Sequence, residues 1–250
     1  MRYEAALFDL DGVIIDSNAG ITDCWNRLAA EHRMELTPSD FEKYIYGCPA
    51  RETLDLLFGK LTSADREVAL RKLTDYESNL QYREIPGAVQ FLKSLRKWGI
   101  PVALVTSSAA WKVKIIEQQL GIGALFTELI TSERIRHGKP DPECYRLAAE
   151  CLAKLPEKCI VFEDAVSGVT AAVKAGAFCI GVQQGSMVPP LIAAGAGMVV
   201  PDFAQVHFSG SGLVGSECEF EVHLGQRGMA IELYDQPAIA KGSFQSEANL

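Results

Sequence analysis

From residue 86 onward the chain alternates short apolar runs, rich in Val, Ile and Phe, with stretches of helical periodicity. Pro101-Val-Ala-Leu-Val105, Leu129-Ile130, Cys159-Ile-Val-Phe162 and Phe178-Cys-Ile-Gly-Val182 read as strands. The segments 87–98, 112–120, 142–152 and 166–175 read as the helices between them. Alternation at this spacing predicts a parallel sheet, because each helical crossover returns the chain to the same end of the sheet and covers one of its faces. Tyr3 to Phe8 adds a further strand at the start. The predicted fold class is therefore α/β, with a Rossmann-like parallel-sheet core. In such sheets ligands bind beyond the carboxyl ends of the strands.

The residues at those ends are polar and reactive. The first strand stops at Asp9-Leu10-Asp11-Gly12, the second at Thr106-Ser107-Ser108, and another at Glu163-Asp164. Lys139 follows a strand within Gly138-Lys139-Pro140-Asp141-Pro142. Successive strand residues point to opposite faces, so Asp9 and Asp11 point the same way, with Leu10 turned aside. Two carboxylates that close raise one another's proton affinity, which suits one ionised and one protonated partner. The first can attack as a nucleophile and the second can protonate a leaving group. A carboxylate attacks a phosphate dianion only when that charge is neutralised. Glu163-Asp164 can offer carboxylate to a divalent metal, Lys139 a fixed ammonium, and Thr106 and Ser107 hydroxyl and backbone donors. Glu163-Asp164 also suits capping of the helix that starts near Val166, and the two roles are compatible. Asp16 and Ser17 read as structural, with Ser17 or Asn18 capping the next helix.

Residues 18–84 break the alternation. They show helical periodicity (Trp25, Leu28, Ala29, His32; Leu54, Leu57, Phe58) and no strand candidate. We read 18–84 as a helical cap inserted between the first strand and the rest of the sheet, 1–17 and 85–208 as the catalytic core, and 209–250 as a C-terminal extension. Within the extension, Glu217-Cys-Glu-Phe-Glu-Val-His-Leu224 alternates polar and apolar, and Met229-Ala-Ile-Glu-Leu233 nearly does. Gly225 to Gly228 between them predicts a β-hairpin, followed by a weakly structured tail from Pro237. Its apolar face is expected on the core or on a second subunit, so the chain is expected to be a monomer or homodimer. Gly210-Ser-Gly-Leu-Val-Gly215 fits the dinucleotide-binding pattern, but a strand pattern rather than a helix follows it, so the required context fails.

Composition narrows the partners. The 250 residues are 48% hydrophobic and 22% charged, with a formal net charge of −8. That balance argues against a nucleic-acid or anionic-membrane surface, which needs clustered Lys and Arg. An anionic small substrate remains compatible, because a few local cations can hold one. No run reaches the roughly 18 apolar residues of a membrane span. Met1-Arg2-Tyr3-Glu4 leads straight into a strand without a signal-peptide pattern. The seven cysteines form no C-x-x-C, and the expected setting is a reducing cytoplasm. The four scattered histidines suggest neither a zinc site nor a Ser-His-Asp arrangement.

FDLDGVIIDS, VTSS, GKPDP and FEDAVSGV resemble, in order, the four motifs of the haloacid dehalogenase superfamily, across residues 8–168. A helical insert directly after the first motif resembles the branch holding phosphoglycolate phosphatase and β-phosphoglucomutase. The resemblance implies that Asp9 is the nucleophile that becomes an aspartyl-phosphate, and that Asp11 is the general acid and later the base for water. It implies that Thr106 and Lys139 hold the phosphoryl oxygens, with Ser107 and Ser108 beside them. Mg²⁺ would sit on Asp9, Asp164 and the Asp11 carbonyl, with Glu163 as a further ligand. Arg51, in a loop similar to the family's Gly-x-x-Arg but one residue longer, is the cap candidate for touching substrate; a solvated arginine at a helix start fits it equally.

The expected activity is phosphoester hydrolysis of a small phosphorylated metabolite. A phospho-accepting receiver domain would have no use for Asp11 or a lid, and hydrolytic dehalogenation would need neither metal nor Asp11. A sugar phosphomutase would share every core residue. β-Phosphoglucomutase carries a His ten residues after the acid and a Lys before the cap-loop Gly. Ile21 and Tyr46 stand at those positions here, which favours the phosphatase.

Overall fold

The computed structural model describes residues 3–46, 48–204, 206–214 and 217–224, with 207–214 and 217–224 described by their backbone alone. The chain enters through β1 (Ala5–Phe8), whose four residues are all buried. A short β2 (Ile15–Asp16) leads into α1 (Asn18–Glu31). Next come α2 (Pro38–Asp40), which continues into a π-helical turn at Phe41–Ile45, then α3 (Ala50–Leu57) and α4 (Ser63–Ser78). A second short strand, β3 (Arg83–Glu84), pairs antiparallel with β2 (Ile15 opposite Glu84, Asp16 opposite Arg83). No strand was expected between 18 and 84. Two residues are too few to show a periodicity, and their pairing partner lies across the whole helical segment.

The remaining elements alternate as the pattern predicts: α5 (Ala88–Lys97), β4 (Val102–Val105), α6 (Ala110–Leu120), β5 (Glu128–Ile130), α7 (Glu143–Cys151), β6 (Cys159–Glu163), α8 (Val166–Ala175), β7 (Phe178–Val182), α9 (Val188–Ala193) and β8 (Met198–Val200). The strands form one six-stranded sheet in the order β5-β4-β1-β6-β7-β8, and every pairing is parallel. This is the expected Rossmann-like α/β core.

The alternation of side chains along β1 divides the core in two. Ala6, Phe8 and Leu10 join the cluster on one face, where Phe8 stacks on Phe162 with ring centroids 4.6 Å apart. Ala5 and Leu7 join the cluster on the other face, with Val161, Tyr145 and Val169. Asp9 continues the Ala5–Leu7 parity. Sequence register alone thus sends its carboxylate toward the side of the sheet covered by α7 and α8.

A third apolar cluster belongs to the helical segment and contains Trp25, Leu28, Phe41, Leu54, Phe58 and Leu73. It forms from α1, the π-helical turn, α3 and α4, and the β2–β3 ribbon carries both chain crossings between these helices and the sheet. The loop after the π-turn reaches down to the core: a Cβ built on Gly138 would lie 3.1 Å from Pro49 and 3.2 Å from Glu52.

The C-terminal region contains a β-ribbon with a strand that the sequence reading did not anticipate. β10 (Glu217–Leu224) pairs antiparallel with β9 (Val206–Val214), the strand before it. Residues 229–233, expected to supply the partner, and the tail from 237 lie outside the described residues. The glycine-containing 210–214 is part of β9, in keeping with rejection of the dinucleotide reading. Gly and Ser at alternate positions hide the strand pattern of β9, because it lacks the apolar face that identifies β10.

Candidate active site

Asp9 follows β1 directly, and its N–H donates to the Phe162 carbonyl on the neighbouring strand at 3.0 Å. Its carboxylate is buried, at 3% exposure for the residue. The Lys139 ammonium lies 2.6 Å from Asp9 Oδ1 and 2.6 Å from Glu163 Oε1, and donates to the Val105 carbonyl at 3.2 Å. Three strand ends thus meet on one ammonium, although Lys139 and Asp9 are far apart in sequence. Lys139 and Glu163 are buried beneath the site rather than lining it.

Glu163 is fully engaged. Oε1 accepts from Lys139 and from the Tyr145 hydroxyl (2.6 Å), while Oε2 accepts from the N–H groups of Asp164 (3.1 Å) and Ala165 (3.3 Å). A built Cβ on Gly168 would fall 1.9 Å from Glu163 Oε1, so only glycine leaves the carboxylate room there. Gly12 does the same for Asp164. It has φ +76°, and a Cβ would fall 2.0 Å from Asp164 Oδ2.

These contacts set the charges. Burial raises the Asp9 carboxyl to about 7; Lys139 opposes the rise, and Glu163 and Asp11 add to it. Burial likewise pushes Asp164 well above the ordinary carboxylate range, with Glu163 and Asp9 reinforcing it. Burial disfavours the Lys139 ammonium, but Asp9 and Glu163 overcome it and hold the group charged, above the usual lysine range. Asp9 and Lys139 both move upward, because burial lifts Asp9 further than Lys139 lowers it, while two carboxylates outweigh burial at Lys139. One ammonium cannot hold two carboxylates ionised as fully as it could hold one.

The site is short of positive charge, and the donor set fits a hard divalent cation. Carboxylate oxygens of Asp9, Glu163 and Asp164 lie within 4.8 Å of one another. Among the described residues no donor hydrogen-bonds the Asp164 carboxylate, and that residue is 5% exposed. Oxygen donors with unmet charge are what Mg²⁺ requires. Asp9 and Asp164 have the freer oxygens; those of Glu163 already accept four bonds.

Asp11 occupies a different environment. Ser17 Oγ donates to its Oδ1 at 2.5 Å, Ser108 Oγ to its Oδ2 at 2.7 Å, and Lys112 Nζ lies 2.9 Å from Oδ1. Burial alone would raise this carboxyl, but Lys112 and the two hydroxyls overcome it and lower it below the ordinary value. The two aspartates therefore differ in proton affinity, but in the opposite sense to the expected ionised Asp9 and protonated Asp11, because Lys112 and the two hydroxyls face Asp11. Asp11 is the more acidic of the two. Ser17 stands at the N-cap position of α1 but makes no side-chain cap bond; its hydroxyl serves Asp11, which corrects the expectation of a capping role.

Thr106 is buried at the end of β4, and its Oγ1 accepts from the Ser108 N–H at 2.9 Å. Ser107 lines the cavity beside it. Arg51 lies at the start of α3, on the far wall of the cavity, and forms an ion pair with Glu67 of α4 at 2.5 Å. Its side chain is 64% exposed. Ile21 and Tyr46 both line the cavity, and the Tyr46 hydroxyl shares a 2.6 Å hydrogen bond with Thr22.

The cavity encloses about 510 Å³ between the strand ends and the helices. Asp9, Asp11, Thr106 and Asp164 form its floor, and Asn18, Trp25, Leu70, Thr74 and Glu77 are among its walls. That volume suits a small metabolite. Sequence reading missed Lys112, Glu77 and Tyr145. Lys112 looks like an ordinary first-turn helix lysine, and its carboxylate partners come from distant segments.

A family model described as a haloacid dehalogenase-like hydrolase matches residues 3–176. The chain belongs to this family. Hexitol phosphatase A of Escherichia coli is 33% identical over 193 residues, 76% of this chain and 88% of that protein. A phosphorylated carbohydrates phosphatase of Thermotoga maritima is 34% identical over 69% of this chain and 82% of its own length. Among solved structures, the β-phosphoglucomutase of Clostridium difficile superposes with a TM-score of 0.70 at 25% identity, covering 81% of this chain and 92% of that one. This haloacid dehalogenase-like chain is thus an enzyme, a hydrolase with phosphatase-named relatives. No helix among its described residues is long and apolar enough to cross a membrane.

Proposed function

We propose that this hydrolase is a Mg²⁺-dependent phosphatase of a small phosphorylated sugar or polyol, working through a phosphoryl group carried on Asp9. The observation that carries the reading is the placing of Asp9 in the cavity floor, with Lys139 2.6 Å behind it and Asp164 and Asp11 beside it. The phosphatase names of the carbohydrate-directed relatives support the substrate class.

Mg²⁺ held by Asp9 and Asp164, with Glu163 beneath, would supply the positive charge that lets a carboxylate approach a phosphate. The rest falls to the chain's own groups. Lys139 fixes the orientation of Asp9 and places positive charge beside the transferring group. Thr106 and Ser107 face the phosphoryl oxygens from the end of β4. Asp9 attacks phosphorus as the bond to the sugar oxygen breaks, and a proton from Asp11 leaves with that oxygen. Asp11 then takes a proton from water as the water displaces the phosphoryl group from Asp9, restoring the Asp9 carboxylate and the protonated Asp11. Asp11 must gain its proton before the first of these steps, against the pull of Lys112 and the two hydroxyls.

The mutase is the second reading, favoured by the likeness to β-phosphoglucomutase. Ile21 and Tyr46 in the cavity wall count against it, since neither offers the basic group that would hold a second sugar hydroxyl in place. The unpaired thiols of the six described cysteines suit a reducing cytoplasm. A panel of phosphorylated sugars and polyols assayed for inorganic phosphate tests the proposal. One arm holds β-glucose 1-phosphate with glucose 1,6-bisphosphate. Release of phosphate from at least one panel member supports the phosphatase, whereas rapid formation of glucose 6-phosphate without free phosphate overturns it.

A further inference from the structure

Lys112 lies in the first turn of α6, yet it is 4% exposed. Its Nζ lies 2.9 Å from Asp11 Oδ1 in the cavity floor and 3.0 Å from Glu77 Oε2, one residue before the end of α4. The Tyr82 ring packs beneath the ammonium, with its centroid 5.8 Å away, and the Tyr82 hydroxyl donates to the Glu77 carbonyl at 3.0 Å. Tyr82 precedes β3, one half of the ribbon that joins the helical segment to the sheet. A single buried cation therefore connects the acid at the strand end to the last turn of a cap helix, at the point where that helix meets its hinge.

Burying three charged groups together is costly unless their geometry is held. Lys112 borders the same cavity, and its ammonium is engaged by the Asp11 and Glu77 carboxylates. The arrangement gives the Asp11 carboxylate an orientation that depends on where α4 sits. We propose that Lys112, seated by Glu77, is a positioning residue for the proton-transfer step: it ties the orientation of Asp11 to the seat of the helical cap. The inference rests on the phosphatase reading above and assigns a function to two residues outside the four motifs.

Proton donation by Asp11 matters for a leaving group that needs a proton and little for one that does not. The test compares Lys112→Met with the unsubstituted enzyme on two substrates: a sugar phosphate that the enzyme hydrolyses, and p-nitrophenyl phosphate. If Lys112 positions Asp11, kcat on the sugar phosphate falls about 100-fold, the lower end of a general acid's contribution. The rate on p-nitrophenyl phosphate then falls less than about tenfold, and Lys112→Arg recovers part of the selective loss. Equal losses on both substrates, or no loss on either, would overturn the proposal. Should Lys112→Met not fold, Lys112→Met/Glu77→Gln removes both charges together and carries the same comparison. Failure of the unsubstituted enzyme to release phosphate from any panel member would instead strike the phosphatase reading, so the two failures are distinguishable.

Discussion

The Lys139 ammonium stands 2.6 Å from Asp9 and 2.6 Å from Glu163, one buried cation held between two buried carboxylates. Its charge orients the proposed nucleophile while Glu163 orients the lysine. Removing one member of a buried ionic cluster leaves the others uncompensated, at a cost of about 3–5 kcal/mol. Lys139→Met is therefore expected to lower the unfolding free energy by about that amount in metal-free buffer and to abolish turnover. Urea unfolding with the rate assay on the same preparation checks both. Full stability in the variant would contradict the cluster described here.

Metal binding is expected to stabilise the fold independently of any reaction. A ligand at a hundred times its Kd adds about 2.7 kcal/mol of stability. Mg²⁺ should raise the thermal midpoint of the unsubstituted chain and leave that of Asp164→Asn nearly unmoved. Differential scanning fluorimetry with a Mg²⁺ titration reads this directly. Equal shifts in both proteins would place the ion elsewhere.

Asp9 is raised by burial to about 7, and Asp164 is raised in the same direction. A carboxyl that holds its proton more tightly when folded stabilises the fold at low pH. That contribution is lost as pH rises from its unfolded value, about 4, through its folded one. Metal-free protein should thus lose stability between about pH 4 and pH 7. Asp11 is shifted the other way, so its contribution is lost only on acidification below that window. Mg²⁺, or Asp164→Asn, should flatten the loss. A stability profile rising from pH 4 to 7 without metal would contradict the charge deficit.

Gly168 lies beneath Glu163, where a methyl group would fall 1.9 Å from Oε1. Gly168→Ala should displace Glu163, release Lys139 and reduce kcat by at least about tenfold, because small displacements of positioning groups carry large rate penalties. Activity within twofold of the unsubstituted enzyme would show that Glu163 does not support the site.

Much of this was legible in the chain. Asp9, Thr106 and Asp164 could be placed because they end β-rich apolar runs, and a parallel sheet gathers its strand ends at one edge. The local rules stop where contacts become long-range. Nothing near Lys112 signals Asp11, which is 101 residues away, and Ser17 at a helix start gives the same sequence signal whether it caps α1 or serves Asp11. The β9 strand that pairs with β10 was missed for a related reason. Glycine-rich turn chemistry after residue 224 was visible, whereas the strand before 217 carries too little apolar alternation to announce itself.

The account depends most on Asp9 as the group that accepts phosphate. The direct measurement is inorganic phosphate released from one hydrolysed sugar phosphate, in Mg²⁺ and in EDTA, by the unsubstituted enzyme and by Asp9→Asn. A nucleophile cannot be bypassed, so the account predicts steady release only by the unsubstituted enzyme with Mg²⁺ and background in the other three reactions. Release by Asp9→Asn at the unsubstituted rate, or undiminished release in EDTA, would contradict it.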